Sequence, residues 1–156
     1  MAGERLPRGT TMIWTIYTIG YAGWASAALR DHVLALGAAL VDVRIAPTSK
    51  SPQWRKEALA ALMGAAYRHL PTLGNRNAFT GGPVALNDPE RALPPIAALL
   101  ECGPVVLLCG CADPQRCHRS VAAAFLAERL GAEVEHILAP ERTNRPSEQL
   151  RLPGWE

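Results

Sequence analysis

The chain has 156 residues, 49% of them apolar and 19% charged, with a formal net charge of +2. That is the composition of one ordinary globular domain, long enough to bury roughly two thirds of the surface its unfolded chain exposes. So small a bulk charge excludes nucleic-acid binding by overall electrostatics, no run approaches the ~18 apolar residues of a membrane span, and any basic site has to be local.

Residues 1–12 carry charges and a proline but no continuous apolar stretch, and read as a flexible extension, neither a signal peptide nor an anchor. IWTIYTI, at 13–19, is β-branched and aromatic and stops at Gly20, the pattern of a buried strand. After the turn GYAGWA, Ser26 caps a helix in which Leu29, Val33 and Leu36 share a face and Gly37 sits at the stop position. ALVDVR, at 39–44, is a second short strand. IAPTSKSPQW is a proline-punctuated loop, RKEALAALMGAA a helix of strong helix formers, and YRHL, at 67–70, a third strand. Residues 71–87 are glycine- and asparagine-rich without periodicity, as lids and binding loops often are. A helix interrupted or restarted at Pro94 and Pro95 follows. PVVLLC, RSVAAAFLAERLG and EVEHIL then give the fourth strand, the last long helix and a fifth strand, ahead of a polar tail at 139–156.

Strands alternating with helices predict an α/β fold, a single domain over 13–138 with a mostly parallel five-stranded sheet flanked by helices on both faces. Such sheets bind ligands beyond the carboxyl ends of their strands. Here those ends deliver Gly20 and Tyr21, Asp42 and Arg44, His69, and Cys109.

The densest chemistry is CGCADPQRCHRS at 109–120, behind the apolar VVLL. Asp113 and Pro114 suit a helix start, although the helix can also begin later, near Cys117. In either register Cys117 lies near a positive helix terminus and two arginines, which lower a thiol pKa. His118 beside it suits proton transfer, and Arg119 suits a planar clamp on a carboxylate or phosphate. Cys109, Cys111, Cys117 and His118 are also a donor set for zinc or iron, although structural zinc sites usually draw ligand pairs from two separated knuckles. The same thiols can form a disulfide, or pack as small hydrophobes. Tyrosine-phosphatase-like and rhodanese-like loops place a cysteine six residues before the arginine, where this chain has Asp113.

DVR is read as an acid and an arginine on opposite sides of a strand end, Arg44 to bind an anion and Asp42 to orient His118 or a water. They can also simply pair with neighbours. TIGYAGW lets backbone at Gly20 and Tyr21 approach a ligand, or is a turn packed by its aromatics. His69 is a second acid/base group or a hydrogen-bonded structural histidine. Four cysteines, three of them within nine residues, lack the spread of a secreted disulfide framework, so a reducing cytoplasm is expected.

TIGYAGW, VDVRIAPTSKSPQW, YRHLPTLGN and LLCGCADPQRCHRS, in that order, resemble the bacterial and archaeal family known as domain of unknown function 488, from about residue 16 to residue 137. The resemblance implies a small α/β protein of Rossmann-like or rhodanese-like three-layer form. It maps Cys109, Cys117, His118 and Arg119 onto a C-x-E-x5-C-H-R signature and Asp42 with Arg44 onto a DVR motif. Cys111 departs from it, standing where many relatives carry glutamate. The expectation is an enzyme-like domain in which Cys117, His118 and Asp42 are catalytic, while Arg44, Arg119, Gly20, Tyr21 and His69 hold an anionic ligand, a nucleotide or a nucleic-acid phosphate. The alternatives are a zinc, iron or thiol redox module, and a nucleic-acid accessory protein using the arginines of 142–151 and the long loop at 71–87.

Overall fold

Five short runs of β-formers pair as parallel strands: β1 (Thr15–Gly20), β2 (Ala39–Asp42), β3 (Tyr67–His69), β4 (Val105–Cys109) and β5 (Glu133–Ile137). Their order across the sheet is β3-β2-β4-β1-β5. The coordinates are a computed structural model that describes residues 13–140. The expected extension at 1–12, most of the expected tail and the arginines of 142–151 lie outside the described residues.

Parallel strands need cover on both faces, and four helices supply it. Along β4 the side chains alternate, so Val106 and Leu108 meet Leu29 and Val33 of α1 (Ser26–Ala35) and Leu59 and Met63 of α2 (Lys56–Met63). Val105, Leu107 and Cys109 turn the other way, into a layer with Ile96 and Leu100 of α3 (Pro89–Cys102) and Ala122 and Leu126 of α4 (His118–Leu130). All five residues of β4 are buried because it lies at the centre. At the edge, β5 carries Glu133 and Glu135 exposed, charges that discourage pairing with another chain. The expected α/β architecture with helices on both faces is therefore the observed one.

Two expectations change in detail. α3 runs unbroken through Pro94 and Pro95. An interior proline costs about 3 kcal/mol when it removes a helix bond. Here the two carbonyls left without donors belong to the exposed Glu90 and Arg91, where water can replace the bonds, while Ala92, Ile96 and Leu100 hold the opposite face in the core. The stretch at 71–87 is likewise not structureless. A short 3-10 turn, Pro71–Leu73, leads into a finger whose arms are bridged between Asn75 and Leu86, with Arg76 N–H donating to the Ala85 carbonyl at 2.7 Å. At its tip Gly81 and Gly82 take positive φ, 79° and 97°, which closes the turn.

Among the described residues no helix is long and apolar enough to cross a membrane.

Candidate functional site

Gly20, Asp42, His69 and Cys109 are the last residues of β1, β2, β3 and β4. Beyond these strand ends lies a cavity of about 320 Å³, lined by Tyr21, Arg44, Cys109, Cys111, Cys117 and His118 from the sheet edge and the turn after β4, and by Phe79 and Val84 from the finger.

The chain between β4 and α4 is shaped to bring three thiols to this place. Asp113 does cap a helical turn, accepting from Gln115 N–H at 2.9 Å, but that turn is a separate 3-10 segment, Pro114–Arg116. Cys117 is extended (φ −124°, ψ 143°) and is the N-cap residue of α4, so the later of the two expected helix starts is the one used. The donor atoms of Cys109, Cys117 and His118 lie within 4.8 Å of one another, with His118 Nδ1 3.7 Å from Cys109 Sγ. Cys111 is exposed and lies outside that cluster, although its thiol lines the cavity and interacts with the other two.

Three neighbouring thiols cannot all ionise, and the arrangement selects one. Hydrogen bonding from Cys109 and Cys111, helped by His118, holds the Cys117 thiol far below its ordinary range despite burial. Bonding to Cys109 and Cys117 drives Cys111 the other way. Cys109 is drawn down by Cys111, yet its bond to Cys117 and its burial outweigh this and push it up to about 11. For His118, burial favours the neutral ring, but Cys117 and the Val43 carbonyl reverse the balance and raise its pKa. The ring is oriented by that carbonyl: Nε2–H donates to Val43 O at 3.0 Å, which turns Nδ1 toward the sulfurs.

Asp42 is therefore not what orients His118. It is fully buried, and both of its oxygens are taken: Arg44 Nε donates to Oδ1 at 2.8 Å and Nη2 to Oδ2 at 2.7 Å, while the Tyr67 hydroxyl donates to Oδ2 at 2.6 Å. Side chains two apart on a strand share a side, so Asp42 and Arg44 pair instead of facing apart. Burial and the bond to Asp42 raise the Tyr67 pKa, keeping the phenol protonated as a donor. Arg44 reaches the cavity with its remaining Nη1, 3.5 Å from the Tyr21 hydroxyl. Tyr21 lies between Arg44, 5.3 Å from its ring centroid, and Trp54, stacked at 4.7 Å. His69 stays outside the cavity wall, its Nε2–H donating to the Arg44 carbonyl at 2.8 Å.

Arg119 also departs from expectation. It is fully buried and grips the loop instead of facing the cavity, with Nη1 donating to the Cys111 carbonyl at 2.6 Å and Nη2 to that of Ala112 at 3.4 Å. Its place follows from helix periodicity, because 119, 122, 123 and 126 form the buried stripe of α4. Gly20 completes the grip: a Cβ there would sit 1.5 Å from the Cys111 oxygen. Tyr67 and Trp54 entered the sequence reading only as parts of a strand, a loop and the family motifs, with no role in the site. Tyr67 reaches Asp42 as a diagonal neighbour across β2 and β3, a relation that appears only once the strands are paired.

The fold and this edge define an α/β domain with a cysteine and histidine centre at the carboxyl end of a parallel sheet. The chain belongs to the family described as domain of unknown function DUF488, whose model matches residues 34–81 and 84–126. The matched segments run from the end of α1 into α4 and hold the site residues named here, apart from Gly20 and Tyr21. Comparison with curated proteins and with solved structures found no match.

Proposed function

We propose that the protein is a thiol-dependent enzyme whose nucleophile is Cys117 and whose substrate carries an anionic group held at the Arg44 side of the cavity. The observation that carries this reading is the position of the Cys117 sulfur at the head of α4, among two thiols and an imidazole, on the wall of a cavity open to small molecules. The Cys117 thiolate forms a bond to the electrophilic atom as the bond to the leaving group breaks, and the His118 imidazolium gives its proton to that group. Neutral His118 then deprotonates a water, whose oxygen displaces the sulfur and restores the thiolate and imidazolium. Asp42 and His69 are positioning residues in this scheme, and Arg119 fixes the loop.

Alkylation by iodoacetamide against pH tests it. The rate at Cys117, located by mass spectrometry, should stay near its plateau down to pH 6, and Cys117→Ser should abolish it. A rate that climbs with an ordinary midpoint near 8.5 would remove the basis for the nucleophile.

A second reading has its own observation. In a tetrahedral zinc site a sulfur and a nitrogen ligand stand about 3.5 Å apart, close to the 3.7 Å between Cys109 and His118. An imidazole whose far N–H donates to a carbonyl is also held as ligating histidines are. Cys109, Cys117 and His118 would hold zinc or iron with a position left toward the cavity. Protein purified without chelator should then carry one equivalent of metal that Cys109→Ser loses and Cys111→Ser keeps. Metal-free wild-type protein counts against this reading.

A further inference from the structure

We infer that the ligand of this cavity is an anion that also bears a flat apolar ring, with the ring seated against Phe79 and Val84 and the charge directed to Arg44 and Arg116. The inference rests on the reading of the cavity as a substrate site, and it does not depend on whether Cys117 or a metal does the chemistry. Phe79 is 74% exposed and Val84 is 42% exposed. Single exposed apolar residues need no explanation, but these two lie on one finger and both face the cavity that holds the thiols.

The backbone that carries Phe79 is tied in place. Asn75 Oδ1 accepts from Asn77 N–H at 3.0 Å and from Ala85 N–H at 3.1 Å, tying the two arms together, and Asn77 Nδ2 donates to the Pro83 carbonyl at 2.7 Å. The phenyl ring is thus presented by a fixed frame. Tyr21, the other aromatic of the cavity wall, already has Trp54 and Arg44 packed on its ring, which leaves Phe79 as the aromatic surface open to a ligand.

Apart from the Cys117 thiolate, the charged groups of the lining are cationic. Arg44, Arg116 and His118 line the cavity, and no aspartate or glutamate does. The Asp42 carboxylate pairs with Arg44 but is fully buried, and Asp113 stands 3.7 Å from Arg116 in an exposed pair that solvent weakens. A volume of about 320 Å³ is at the small end of ligand sites, enough for one ring system with a phosphate- or carboxylate-sized head. A bare inorganic anion would leave the apolar wall wet, and a neutral arene would make no use of the Arg44 Nη1 and Arg116 donors.

Calorimetric titration of the full chain with 2-naphthyl phosphate, inorganic phosphate and 2-naphthol tests the idea. The naphthyl phosphate should bind one site at least about tenfold more tightly than either fragment. Phe79→Ser, at a position too exposed to matter for folding, should weaken it about tenfold and leave inorganic phosphate unaffected. Val84→Ser should act in the same direction with a smaller effect. Undetectable binding, binding no tighter than that of inorganic phosphate, or equal affinity in Phe79→Ser overturns the inference. Loss of the alkylation plateau and loss of naphthyl phosphate binding, both read on the wild-type chain, are separate failures: the first removes the nucleophile, the second the ring-bearing anion.

Discussion

The most consequential single residue outside the thiol cluster is Asp42. A buried carboxylate is tolerable only when its lone pairs are used, and here two arginine nitrogens, the Arg44 backbone N–H and a tyrosine hydroxyl use them. Replacing it with asparagine leaves the buried Arg44 guanidinium uncompensated, and losing one partner of such a pair typically costs about 3–5 kcal/mol. Asp42→Asn should lower the urea midpoint accordingly at unchanged slope; a loss below about 1 kcal/mol would show that the pair is not anchored as described. The DVR motif made both residues legible as special, but their partnership follows from strand alternation and the role of Tyr67 from strand pairing. Arg119 teaches the same lesson. Its chemical type suggested an anion clamp, whereas its spacing from Ala122, Ala123 and Leu126 already marked it as inward-facing.

Among the elements, the turn between β4 and α4 bears the site, and it is held from outside itself. The carboxyl end of β1 presses on the Cys111 carbonyl at Gly20, and Arg119 bonds that same oxygen from the first turn of α4. Gly20→Ala inserts a methyl where no space exists, and the obstacle is backbone that cannot rotate away. It should destabilise the fold by at least the ~1–3 kcal/mol typical of overpacking, and should also slow alkylation of Cys117 at pH 6 by displacing the turn. Thermal melting and the alkylation rate check the two effects. An alanine variant with wild-type values of both would mean that the turn is not clamped. The cluster itself was readable because its members are close in sequence at a strand-to-helix junction. The finger was not, since its ladder is made by backbone groups and asparagine side chains that leave no hydrophobic period.

At the scale of the molecule, strand and helix types, their alternation and the cover on both faces follow from apolar runs and helix formers, which local sequence displays. Strand order does not, because it depends on which apolar face meets which. The insertion of β4 between β1 and β2 is what brings Cys109 beside Gly20 and the end of β2. Without that order the thiols, Tyr21 and Arg44 are separate motifs; with it they share one edge. α3 shows the converse, since global packing of Ala92, Ile96 and Leu100 overrides a local signal as strong as two adjacent prolines.

The finger leaves and rejoins the body at neighbouring points, Asn75 and Leu86, and the interval between the two family-matched segments falls at its tip, at Gly82 and Pro83. Its length and side chains can therefore change without moving any strand or any sulfur. If the proposed ring seat is right, the thiols and that seat reside on separable pieces of chain, so a graft of the tip alone is the smallest change by which this scaffold can acquire a new clientele.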